Sequence, residues 1–253
     1  MKSKRGRLDR FVSRRLNVSC NQVRVMLAKS QVRVDGKVAK DRDLLIDEFA
    51  HICVDEHILQ DNQPRYVMLH KPIGVVSATR DDQHKTVIDC LGINYVEKGL
   101  ASSLEEGLEK GMSADENDLH IVGRLDLNTS GLVLLTNDGR WSKALMSPEN
   151  KVEKVYRVTL QNPLTQDYID AFANGMYFAY EDITTLPVKL EIQSEYVAMV
   201  TLMEGRYHQI KRMFGRFRNP VLALHRLSVG HIVLEPSLLV GQSRRLSQAE
   251  VQL

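Results

Sequence analysis

Cysteine is scarce in this 253-residue chain: Cys20, Cys53 and Cys90 are odd in number, widely spaced and form no CxxC pair. This argues against a disulfide framework and a zinc pattern, and reads as small buried or half-buried thiols in a reducing compartment such as the cytoplasm. No apolar run approaches the roughly 18 residues that cross a bilayer, so no membrane partner is expected. The basic opening MKSKRGRLDRF has no apolar stretch behind it, so no signal peptide is expected either. A Walker loop and a GxGxxG fingerprint are both missing, and no metal-ligand cluster stands out. Net charge is nearly missing too, with 34 Lys and Arg against 32 Asp and Glu. What is present is length: a chain of this size buries about 70–75% of its unfolded surface and folds without staples.

The small net charge is a sum of strong local fields. Residues 1–42 carry thirteen basic side chains against three acidic ones, a net of +10. Residues 97–118 have seven acidic against two basic, or −5, and residues 204–245 have eight basic against two acidic, or +6. Basic segments near both ends fit a polyanion footprint, because Lys and Arg that neutralise phosphates release condensed counterions. Single charge runs are also ordinary solvated faces, so the fields matter only if they share a surface.

Periodicity supplies the elements. Leu8, Phe11, Val12 and Leu16 form a helical stripe, and Ser19 suits the N-cap of a second helix carrying Val23, Met26 and Leu27. Val32-Arg33-Val34 alternates into Asp35-Gly36, a hairpin signal, with Val38 beyond it, and His51–Leu59 reads as one further strand. Asp61-Asn62-Gln63-Pro64 is polar and ends in proline, which divides the chain into residues 1–61 and 62–253. Tyr66–Leu69 is an apolar strand running into His70-Lys71-Pro72.

The densest signal is GRLDLNTSGLVLLTNDG at Gly123–Gly139. Leu132–Leu135 suits a buried strand, Thr136–Gly139 is turn chemistry, and a helix follows around Trp141–Met146. The loop Gly123–Gly131 therefore sits directly before a core strand, where a rigid scaffold can hold a reactive side chain. Asp126 is the only carboxylate between Asp118 and Asp138. On spacing alone a lone Asp fits a turn or cap better than a nucleophile. Tyr156, Leu224 and Trp141 likewise fit core positions, and Lys211 a solvated helix face.

RLDRFVSRRL followed by VRVDGKV resembles the S4 RNA-binding domain, and GRLDLNTSGL resembles the signature of the pseudouridine synthases. The likeness continues in that family's order over residues 65–235, through YVMLHKPIG, KVYRVTL, EGRYHQIKRMF and LHRLSVGHIVL. It implies an α+β fold: an S4-like module, then a mixed, mainly antiparallel sheet flanked by helices, with Asp126 in the cleft between its halves. It also implies roles. Asp126 matches the catalytic aspartate, Tyr156 the tyrosine that stacks on the target base, and Lys211 the cation that pairs with the aspartate. Leu224 matches the leucine beneath the tyrosine, and Arg124 is a substrate-binding candidate beside the aspartate. In the first module the RNA-tracking candidates are Arg14, Arg15, Arg24, Lys29 and Arg33.

Uridine and pseudouridine are isomers, so this chemistry calls for no cofactor or metal. One carboxylate can act as nucleophile or as base. The target base must be flipped out at a cost of a few kcal/mol, and stacking on Tyr156 offsets about 1–3 kcal/mol of it. Lys211 and the LHRLSVGHIVL strand point to small-subunit (16S) rRNA as substrate, within an assembly particle, and the family leads to a monomer. A large-subunit or tRNA uridine is the alternative target. A non-catalytic rRNA-binding assembly factor is the alternative class, against which the intact Asp126, Tyr156 and Lys211 argue. The acidic residues 97–118 read as an insertion, most simply a tolerated surface loop. Residues 2–6 read as disordered until RNA binds. His70 stands where this branch often has Asn, and neither spacing nor the resemblance calls for His208 as a base.

Overall fold

The computed structural model describes residues 5–91 and 118–253. The acidic segment 97–118, apart from Asp118, thus lies outside the described residues, as do Lys2 and Lys4. The chain divides into two compact units, Met1–Pro64 and Arg65–Leu253.

In the first unit, β1 (Gly6–Arg7) leads into α1 (Leu8–Leu16) and α2 (Cys20–Ala28). Ser19 caps α2 in a reciprocal box with Gln22, as Ser three residues before Gln allows. β2 (Val32–Val34) and β3 (Lys37–Val38) form the expected hairpin, with Asp35 and Gly36 both at positive φ. β4 (Leu45–Ile46) pairs with β1, so Gly6 is ordered in a ladder with Ile46 rather than part of a disordered arm. The single strand expected over His51–Leu59 is two, β5 (Ile52–Val54) and β6 (His57–Gln60), which fold back on each other with Asp55 at φ 52°. Leu8, Val12, Val23, Leu27, Val32 and Ile52 fill the core beneath the helices.

The second unit is built on a sheet of nine strands among the described residues. In chain order these are β7 (Tyr66–Lys71), β8 (His120–Val122), β9 (Ser130–Thr136), β10 (Lys154–Leu160), β13 (Lys189–Ser194), β14 (Val197–Leu202), β15 (Val221–Val229), β16 (Ile232–Val233) and β17 (Ser243–Arg245). Between β10 and β13 lies a separate small hairpin, β11 (Tyr177–Phe178) and β12 (Ile183–Thr184). The main path runs β13-β14-β10-β15-β9-β7-β17. Every pairing in it is antiparallel except β15 with β9, which are parallel at His225 opposite Ser130 and Arg226 opposite Gly131. This parallel seam joins two antiparallel halves. Gly131 is required there: at φ 110° a Cβ would lie 2.3 Å from the Arg226 carbonyl oxygen.

Both faces are covered. Val133 and Leu135 face a core that includes α4 (Gln166–Asn174) and α5 (Gln209–Gly215). Leu132 and Leu134 face a second core with Trp141 and Leu145 of α3 (Gly139–Met146). A strand buried on both faces reads as an unbroken apolar run, as Leu132–Leu135 does. Trp141 is a packing residue, edge-on to Tyr66 with its ring N–H donated to Val251 of the terminal α6 (Gln248–Val251). The cysteines are not uniformly sheltered: Cys90 is buried and Cys53 half-buried, but Cys20, at the first turn of α2, is exposed. Its place on the solvent side of an amphipathic helix explains the difference.

Candidate active site

The segment that enters β9 at the seam, Gly123–Thr129, is held from behind at every second residue. The buried guanidinium of Arg226 donates to the carbonyls of Gly123 (2.9 Å) and Leu132 (2.8 Å). The Ser77 hydroxyl exchanges hydrogen bonds with both backbone groups of Leu125. The Leu127 carbonyl accepts from the Gly74 amide at 2.9 Å, and the Thr129 carbonyl from the Lys71 ammonium at 2.7 Å. With the backbone fixed at residues 123, 125, 127 and 129, the intervening Arg124 and Asn128 are exposed and Asp126 is half-buried.

Asp126 meets two nitrogens from α5 and its cap. Lys211 Nζ lies 3.4 Å and His208 Nε2 3.3 Å from the same oxygen, Oδ2. No hydrogen bond to Oδ1 is found among the described residues. A cavity of about 100 Å³ opens beside the carboxylate, lined by Arg124, Asp126, Thr129, Tyr156, Lys211 and Leu224 among others. Tyr156 and Leu224 are diagonal neighbours on β10 and β15, since Tyr156 pairs with Arg226 and Leu224 with Val158. Both are mostly buried and flank the cavity rather than leaving it. The Thr129 hydroxyl is buried without a partner among the described residues, also at this cavity.

All five residues singled out in this part of the sequence, Arg124, Asp126, Tyr156, Lys211 and Leu224, thus line one cavity. Two further participants were not legible. His208 is as close to Asp126 as Lys211 is, a contact that depends on how α5 docks at the seam and leaves no local trace. Lys71 reads as a strand end but is a buried clamp whose pKa burial pushes down to about 8. The +6 stretch also changes meaning. Arg226 and Arg244 are buried, Arg212 grips Glu181, and Arg206 pairs with Glu204 at the surface, so much of that charge is either buried or already paired. His70, where an amide was the common residue, binds the Leu238 carbonyl and lies edge-on to His225. Arg14, Arg15, Arg24, Lys29 and Arg33 are all exposed on the first unit.

A carboxylate paired with a lysine ammonium and lining a cavity walled by an aromatic ring can attack, or take a proton from, a flat ligand stacked on that ring. A family model described as RNA pseudouridylate synthase matches residues 65–215. The chain is 46% identical to ribosomal small subunit pseudouridine synthase A of Pseudomonas aeruginosa, over 97% of this chain and 98% of that one. It is 35% identical to the protein of the same name from Haemophilus influenzae, over 97% and 98%. A crystal structure of a pseudouridylate synthase superposes with a TM-score of 0.64 at 35% identity, covering 97% of both chains.

Proposed function

The chain belongs to the RNA pseudouridylate synthase family, and from that premise we propose that it converts uridine to pseudouridine in small-subunit rRNA with Asp126 as the catalytic carboxylate. The observation that carries the assignment of Asp126 is its place in the lining of the cavity that Tyr156 also lines, with Lys211 and His208 against its carboxylate. The reaction breaks the N1–C1′ bond, turns the uracil and bonds C5 to C1′, and a proton is lost from C5 and gained at N1. Asp126 begins it, either by attacking C1′ or by taking the C2′ proton, and a 2′-deuterium isotope effect on turnover separates the two. Tyr156 stacks on the flipped base and is placed to receive the C5 proton, with Leu224 beneath it. Lys211 fixes the carboxylate as a point charge, and Arg124 meets the RNA at the rim.

The first unit docks the RNA through Arg14, Arg15, Arg24, Lys29 and Arg33. The substrate is a partly assembled small-subunit particle in the cytoplasm, and the enzyme acts as a monomer. No helix among the described residues is long and apolar enough to cross a membrane. The test uses small-subunit particles carrying 5-tritiated uridine, from cells lacking the protein. Asp126→Asn should abolish tritium release while leaving RNA affinity within a few-fold. Wild-type turnover by that variant would remove Asp126 from the chemistry.

A further inference from the structure

Tyr207 is among the most exposed large side chains described, at 76%. Isolated exposed aromatics are common and need no explanation, but this one is built in. Its ring stacks on His208 with centroids 3.9 Å apart and planes 19° from parallel, and His208 is the residue in contact with Asp126. His208 holds a left-handed backbone (φ 48°, ψ 31°), uncommon for a residue with a side chain. The turn that presents the pair is braced on two sides. Glu204 accepts from the Leu186 amide (2.9 Å), the Gln209 side chain (2.7 Å) and Arg206 Nε (2.8 Å). Arg212, bidentate to Glu181, also donates to the Tyr207 carbonyl. Backbone and inner face of the ring are thus fixed, while the ring itself stays in solvent.

The surroundings say what the outer face is for. The cavity beside Asp126 is continuous in its lining with a depression of about 500 Å³, the two sharing Arg124, Asp126, Arg206 and His208. Tyr207 lines that depression and a further one of about 470 Å³ on its other side. A small cavity at the carboxylate with larger ones next to it leaves room for a chain neighbour beside the base held at Asp126. Exposed aromatic faces bind bases with little sequence preference, and the exposed Arg124 at the rim suits the phosphate between the two nucleotides.

We propose that Tyr207, backed by His208, is a stacking platform for the nucleobase next to the target uridine in the RNA chain. The inference rests on the proposed uridine chemistry at Asp126, and it assigns a second base-binding position outside that cavity. A pre-fixed ring would hold the flipped strand open, so that the neighbouring base does not restack into the space the target has left.

Two measurements test it. Tritium release from the particles is compared for Tyr207→Ala, Tyr207→Leu, Tyr207→Phe and Tyr207→Trp. The expectation is a fall in kcat/KM of about 5- to 100-fold for Ala and Leu, with Phe and Trp within about threefold of wild type and uridine monophosphate binding unchanged in all four. Rescue by aromatics alone is the signature of stacking. Leu performing as well as Phe, or Ala as well as Tyr, overturns the platform. The second measurement follows the fluorescence of Tyr207→Trp while adding a short oligouridylate or uridine monophosphate. Quenching by the oligonucleotide and not by the mononucleotide supports the platform, and no quenching overturns it. This arm needs no turnover: quenching with no tritium release by the wild type would sink the uridine chemistry and keep the platform.

Discussion

Lys71 carries its ammonium into the interior, where it donates to the carbonyls of Pro72, Leu127 and Thr129. Burial opposes the charge and lowers its pKa to about 8, partly countered by Cys90 and Asp126. The clamp thus has two opposed effects on stability, a desolvation cost and a set of hydrogen bonds that hold the loop bearing Asp126. Lys71→Met removes both, and it leaves the Pro72 and Thr129 carbonyls without this donor, at about 1–3 kcal/mol for each buried group left unpaired. Its melting temperature should therefore fall, with relief of the buried charge offsetting part of the loss. Turnover should fall on the order of 100-fold, because a displacement of about 1 Å at a reacting group has that effect. The pH dependence gives an independent readout. Between about 8 and the ordinary lysine value the unfolded chain binds the extra proton, so Lys71 makes stability rise with pH across that window. Urea melts of the Met variant at pH 8 and 10 should lack that rise; an identical rise in both proteins would contradict the charge state assigned here.

At the scale of elements, α6 shows how a segment too short to persist alone is kept. The Arg244 guanidinium, buried on the edge strand β17, donates to both Glu250 oxygens at 3.0 and 2.7 Å and also pairs with Glu235. Glu250 in turn accepts from the Ser247 amide and hydroxyl that start the helix. Arg244 first, then those Ser247 contacts, pull the Glu250 carboxyl down to about 2 against the opposing effect of burial. Its stabilising effect is therefore complete above the ordinary glutamate range and is lost as pH falls toward 2. Glu250→Gln should be less stable by about 1–3 kcal/mol at pH 7, and the gap to wild type should narrow progressively in melts below pH 4.5. A constant gap would mean the pair is not the source. Elements of this kind divide by how local their cause is. The Ser19 cap, the Asp35-Gly36 turn and the Leu132–Leu135 strand announce themselves in consecutive residues. The turn at Asp55-Glu56 does not, because a two-residue connection without glycine leaves the flanking apolar residues looking like one strand. Asp126 was singled out through its resemblance to a known signature, since its spacing alone fitted a turn. His208 and Lys71 escaped because their partners, Asp126 for one and the Leu127 and Thr129 carbonyls for the other, come from a loop distant in sequence.

For the molecule as a whole, the two basic regions that looked alike in sequence have different physical standing. In the stretch 204–245 Arg226 and Arg244 are buried, and Arg206 and Arg212 are engaged by Glu204 and Glu181, so few of those charges are free to meet phosphate. In the first unit Arg14, Arg15, Arg24, Lys29 and Arg33 all stand in solvent. Arg33 reaches only the Gly36 carbonyl, at 3.5 Å, and Arg15 lies over the ring of Phe11. The long-range attraction to RNA should therefore come mainly from the N-terminal unit, even though the chain as a whole is nearly neutral. Each basic side chain that meets a phosphate adds about 0.7–0.9 to the slope of log affinity against log salt. Replacing these five by Gln should lower that slope by about 3.5–4.5 for binding to small-subunit rRNA if all five meet phosphates, weaken binding most at low salt, and leave the Asp126 cavity and its affinity for uridine monophosphate unchanged. Filter binding between 50 and 300 mM salt measures it. A slope that survives the five replacements would shift the RNA-binding surface to the second unit and leave the N-terminal charge as a solvated face.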